Sequence, residues 1–140
     1  AQHRLGEIDS AAFMATLNTN AAGPLRLANA LLPNLKAARG KLVAITSQMG
    51  SIADAGTGYL GYRASKAALN MVWHVLAGQL KAEGVIAVPV HPGWVQTDMG
   101  GASAPLTPEV AVKGMRDQIA AYADAHAGRF LTWEGKELPW

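Results

Sequence analysis

Tyr62 and Lys66 stand four residues apart in the run Tyr62-Arg-Ala-Ser-Lys66. On a helix that spacing places a phenol and an ammonium on one face, a turn apart. A phenol ordinarily ionises at about pH 10 and is a poor acid–base catalyst at neutral pH. Bringing such a group toward neutrality takes about 4 kcal/mol, which an ammonium ~4 Å away supplies at an effective dielectric of roughly 20. A pair of this kind can give a proton to a carbonyl or take one from an alcohol. The same spacing also occurs on ordinary solvated helix faces, so the surroundings decide its meaning.

Two neighbouring segments carry further groups. Ile45-Thr46-Ser47-Gln-Met-Gly50 puts a hydroxyl where an apolar run gives way to a loop. His91-Pro-Gly-Trp-Val-Gln-Thr97-Asp-Met-Gly-Gly101 follows a second apolar run, and its glycines suit close backbone approach to a ligand. In open parallel sheets the carboxyl ends of the strands are where ligands sit. The plain alternatives are a loop serine bonding its own backbone and a turn leading to the next helix.

The elements that must position these groups can be read from periodicity. Asp9 to Ala38 predicts one long helix, with Phe13, Leu17, Leu25, Leu27, Leu31, Leu32 and Leu35 at helical spacing, Asp9 or Ser10 as N-cap, and a kink at Pro24. Arg39-Gly40 is its stop. Lys41 to Thr46 is short and β-branched, as expected of a strand buried on both faces. After a glycine-rich loop from Gly50 to Gly61, a second helix is predicted over 62–81 and closed by Gly84. Val85 to Val90 is a second buried strand. Thr107-Pro108-Glu109 opens a third helix, with Thr as cap, Pro in the first turn and an acid beside it. Arg129 to Trp133 is a last strand, and Glu134-Gly135 a turn. The alternation helix, strand, helix, strand, helix, strand predicts an α/β fold with right-handed crossovers and helices on both faces of a parallel sheet.

Composition narrows the classes. The 140 residues suit one domain, and with half of them hydrophobic and 16% charged the chain should fold. Net charge is only +2 and the basic residues are scattered, which argues against a nucleic-acid surface. There is no cysteine, so disulfides, thiolate catalysis and cysteine-held metals are excluded; a cytoplasmic location fits. The apolar runs at 42–45 and 85–90 fall far short of the ~20 residues of a membrane helix. The amino terminus does not read as a signal peptide and lacks an initiator Met. His3, His74, His91 and His126 show no metal-ligand spacing and read as core or surface residues. Trp73, Trp94, Trp133 and Trp140 read as packing residues, with Trp94 also able to line a substrate pocket. The third helix reads as a lid or outer layer.

Taken together, Asn20-Ala-Ala-Gly23, Thr46-Ser47-Gln-Met-Gly50, Tyr62-Arg-Ala-Ser-Lys66 and Pro92-Gly93-Trp-Val-Gln-Thr97 resemble the motifs of the short-chain dehydrogenase/reductase family in order and spacing. The resemblance spans the chain and is strongest to the C-factor and Sniffer branch of carbonyl reductases. It implies Tyr62 as general acid–base, Lys66 as the group that lowers its pKa and binds the nicotinamide ribose, and Ser47 as a hydrogen-bond donor to the substrate oxygen. It implies that Asn20 holds a water in a proton relay from Lys66. It further implies that Pro92, Gly93, Val95 and Thr97, with Tyr62 and Lys66, contact the nicotinamide end of NADP or NAD. Ser47 precedes Tyr62 by 15 residues, slightly more than the family's commonest spacing, and Ser51 is a rival for its role.

The family's Gly-x-x-x-Gly-x-Gly phosphate turn is not in this sequence. The resemblance therefore implies a single partial domain over 1–140, the carboxyl-terminal half of a Rossmann-like doubly wound parallel sheet, with the amino-terminal βαβ half absent. The strand edge at Leu42–Thr46 would then be bare, and such a chain would be unstable alone or would pair there with another chain, as in a homo-oligomer. The expected activity is NAD(P)-dependent interconversion of a small carbonyl and its alcohol, provided the missing half of the cofactor site is supplied. The alternatives are a catalytically silent binding fragment, or a cofactor-free lyase or isomerase using the same Tyr, Lys and Ser. The halohydrin-cleaving relatives carry Arg in place of the lysine, so Lys66 argues modestly against the last.

Overall fold

The computed structural model describes residues 4–140, so the reading of His3 lies outside the described residues. The first helical region begins as expected: Asp9 Oδ1 accepts the N–H groups of Ala11 and Ala12 at 2.8 and 3.2 Å, capping α1 (Ser10–Leu17). It is not one long helix. A wide, π-type turn at Asn18–Ala22 leads into α2 (Gly23–Ala30), and a break at Leu31 (φ −90°, ψ 0°) separates α3 (Leu32–Ala38). Pro24 accounts for the first irregularity: it lacks an N–H, and its ring collides with the carbonyl four residues back, which a widened turn relieves. Pro33, two residues past Leu31, accounts for the second. Arg39 rather than Gly40 takes the left-handed closing conformation (φ 47°).

Next come β1 (Lys41–Ile45), α4 (Leu60–Leu80), β2 (Ile86–His91), α5 (Pro108–Ala121) and β3 (Leu131–Thr132). The sheet order is β1-β2-β3 and both pairings are parallel. Gly84 (φ 72°) ends the turn after α4, and the Thr107 hydroxyl accepts the Val110 N–H at 3.4 Å to cap α5. The last strand is shorter than expected, two residues instead of five, because only Val90 and His91 extend far enough to pair with it.

Helices cover both faces. Ala44 and Ala87 pack with Leu69, Trp73 and Ala77 of α4 and Ala28 of α2. On the other face Val88, Val90 and Leu131 pack with Tyr122 and with Met115 and Ile119 of α5. This is the doubly wound arrangement the alternation predicted. Among the described residues no helix is long and apolar enough to cross a membrane, and no group of side chains could hold a metal ion.

β1 departs from expectation. A strand buried on both faces was predicted, yet only Ala44 is buried and Ile45 is 50% exposed. The hydrogen bonds Ile86 N–H to Gly40 O and Thr46 N–H to Val90 O fix which backbone groups face β2. By strand alternation, Lys41, Val43 and Ile45 turn theirs to the free edge, where no strand pairs among the described residues. Burial of an apolar strand is set by its neighbours, not by its composition.

Candidate active site

Ser47 follows the last residue pair of β1 in an extended conformation (φ −151°, ψ 147°), and its Oγ accepts the Met49 N–H at 3.1 Å. That bond occupies an oxygen lone pair and leaves the hydroxyl proton to donate elsewhere. The short helical turn Gln48–Gly50 then lies directly on α4. A Cβ at Gly50 would stand 2.9 Å from the Lys66 carbonyl carbon and 2.8 Å from Asn70 Nδ2, so only glycine permits this approach. Beneath it, buried Thr46 Oγ1 donates to Asn70 Oδ1 at 2.7 Å. Ser51, the rival serine, is 2% exposed, and its Oγ accepts the Asp54 N–H.

A cavity of about 1120 Å³ opens at the carboxyl ends of the strands. Ser47 and Tyr62 both line it, as do Pro92, Gly93, Val95 and Thr97; Ser51 does not. Trp94 is on its wall as well, and Ala111 and Met115 show that α5 forms one side. The loop after β2 is held by its own bonds. Gly93 needs its positive φ of 87°, and a Cβ there would strike Leu106 and Trp133. Thr97 Oγ1 accepts the Gly100 N–H at 3.1 Å and donates to Val95 O at 3.4 Å, so the hydroxyl expected on a cofactor closes its own turn here.

Lys66 is placed differently from Tyr62. Its Nζ donates to Ile45 O at 3.1 Å, on the free edge of β1, and lies 5.7 Å from the centre of the Tyr62 ring. Burial lowers its pKa from the ordinary lysine value, because the charged form loses solvation. Lys66 lines a second cavity of about 340 Å³, between α2 and β1, and Asn20 lines it too. The two residues that sequence spacing put on one helix face thus border two different cavities.

Asn20 sits within the wide turn. Its Nδ2 donates to Ser65 Oγ at 3.0 Å, and Ser65 Oγ donates to Tyr62 O at 2.8 Å. The chain of bonds ties that turn to the start of α4. Pro24 has no N–H to offer the carbonyl four residues before it, so the Asn20 carbonyl lacks its ordinary helical donor.

The sequence reading did not find His91, which it placed in the core or on the surface. The residue ends β2, lines the larger cavity, and has an enclosed Nδ1 without a hydrogen-bond partner. Burial lowers its pKa, favouring the neutral ring. Its place directly before Pro92-Gly93, at a strand's carboxyl end, was the signal available.

Residues 1–106 match the short chain dehydrogenase family, and the chain belongs to that family. Among individual proteins it is 45% identical over 138 residues to C-signal of Myxococcus xanthus, across 97% of this chain and 83% of that protein. Its fold is similar to that of the carbonyl reductase Sniffer of D. melanogaster, with a TM-score of 0.96 and 33% identity over 100% of this chain and 62% of the other. It is also similar to the NADPH-bound carbonyl reductase from chicken fatty liver, with a TM-score of 0.90 and 33% identity over 99% of this chain and 61% of that one. The chain therefore spans about three fifths of the length of these two solved structures.

Proposed function

We propose that this chain carries the catalytic side of an oxidoreductase that interconverts a carbonyl and an alcohol with NADP, or NAD, as cofactor. The observation that carries the reading is that Ser47 and Tyr62, 15 residues apart, open into one cavity at the carboxyl ends of parallel strands. The Tyr62 hydroxyl gives its proton to the carbonyl oxygen during reduction and takes it back during oxidation. Ser47, its oxygen already accepting from Met49, donates to the same substrate oxygen as charge develops there. Lys66, one turn from Tyr62, stabilises the phenolate left behind and binds the ribose with the protons not used on Ile45 O. Asn20, beside Lys66 in the smaller cavity, holds the water of a proton relay.

The residues present fit the nicotinamide end of the cofactor. The cavity is large enough for a ring and a small substrate, and Lys66, one turn from Tyr62 on the smaller cavity, keeps donors to spare. When bound, the nicotinamide supplies or accepts the hydride. Backbone groups of Pro92, Gly93 and Val95 border its place; Thr97 first has to release its own turn. The relative solved with NADPH supports the choice of cofactor. The free edge of β1 supports assembly of two copies through residues 42–46.

The test is NADPH-dependent reduction of a small aldehyde or ketone, followed by NADPH absorbance. Tyr62→Phe should lower the rate on the order of a hundredfold or more, with the fold retained by circular dichroism. A Tyr62→Phe protein as active as the wild type would overturn the assignment.

A further inference from the structure

His91 ends β2 on the face covered by α4. Ala44 of β1 and Ala87 of β2 both pack on that face, so strand alternation puts Thr46 and His91 there too. The register continues from Ile45 opposite Val90, which sets His91 beside Thr46, about one strand spacing (~4.8 Å) away, where β1 gives way to Ser47. Thr46, Ser47 and His91, with Tyr62, line the larger cavity. The ring has no protein partner at its enclosed Nδ1. That nitrogen is closed off, so it is the remaining polar edge of the ring, on the cavity wall, that a ligand can meet.

We infer that His91 is a specificity-determining residue, one that hydrogen-bonds a second, uncharged oxygen of the substrate next to the carbonyl that reacts at Tyr62 and Ser47. This deepens the proposed function and rests on it for the identity of the reacting carbonyl. The neutral ring brings one N–H and one lone pair. A hydroxyl meets either, whichever nitrogen carries the proton. A carboxylate would need a cation, and Arg63, the basic side chain on this wall, directs its guanidinium to the carbonyls of Gly58 (3.0 Å) and Met49 (3.5 Å). Asp9 and Asp54, also on the wall, would repel an anion. The favoured substrate class is thus an uncharged hydroxyketone, with the second oxygen on the carbon next to the carbonyl or the one beyond.

The test compares hydroxyacetone with butanone, which differ by a hydroxyl in place of a methyl. Each is titrated into the wild-type chain while the ring signals of isotope-labelled histidine are followed by NMR. Hydroxyacetone should bind about tenfold more tightly than butanone and move the His91 signals. In His91→Phe the preference should vanish with butanone affinity retained, and in His91→Gln part of it should return. Equal affinity for the two ligands, no binding of hydroxyacetone to the folded chain, or an undiminished preference in His91→Phe overturns the inference. Should His91→Phe fail to fold, the wild-type ring signals and His91→Gln still decide. Because the readout is binding, a chain that reduces nothing with NADPH counts against the proposed activity and leaves this selectivity measurable on its own.

Discussion

The two flanks of the sheet are built on different terms. On the β2–β3 side, Ala87, Val88, Val90 and Phe130 are 0% exposed, and helices close both faces. On the β1 side, Ile45 is half exposed, and Leu27 and Leu31 of the neighbouring helical region are open as well. The candidate site straddles this divide. Ser47, Tyr62 and His91 border a cavity walled by the chain's own helices, whereas Lys66 and Asn20 border a smaller one beside the free strand edge. The half proposed to donate the proton therefore lies in a cavity bordered by this chain's own helices. The half assigned to ribose and relay lies where backbone groups of β1 have no strand partner.

Substitutions can sharpen or break that contrast. The largest effect belongs to the closed flank: Leu131, 1% exposed between β2 and α5, should lose about 2–5 kcal/mol of stability on replacement by alanine, read from denaturant unfolding. Next comes Gly50→Ala, at the contact where the Ser47 loop meets α4. The added methyl forces the loop away from Lys66 and Asn70, so stability should fall by roughly 1–3 kcal/mol, and reduction should slow through displacement of Ser47. Stability and rate unchanged in that variant would mean the loop is not held as described. The smallest effect belongs to the open flank: Ile45→Thr should change stability by no more than about 0.5 kcal/mol in a monomer. A loss approaching that of Leu131→Ala would show that β1 is covered in solution, and its dependence on protein concentration would identify a second copy as the cover.

The sequence revealed most where a local rule has one structural answer. Asp9, Thr107-Pro108 and Gly84 mark helix ends because capping is decided within one turn. Tyr62, Lys66 and Ser47 stood out through their linked motifs, and of these Tyr62 and Ser47 share one cavity while Lys66 borders another. What escaped depends on neighbours in space. Pro24 announced an irregularity, but not that the turn would widen and bring Asn20 to Ser65. Pro33, unremarked, broke the helix again at Leu31. The composition of β1 reads as fully buried, while its exposure follows from the absence of a pairing strand at its edge among the described residues. His91 has no spacing signature at all. Its meaning comes from the register that sets it beside Thr46 and from the cavity it shares with Tyr62.

The central claim, that Lys66 and the cavity beside Tyr62 form the nicotinamide end of a cofactor site, is tested most directly by calorimetric titration of NADPH into the folded chain and into Lys66→Met. Saturable binding to the wild type, weakened about tenfold or more in Lys66→Met, is the predicted result. No binding to the folded wild-type chain, or binding that Lys66→Met leaves intact, would contradict it.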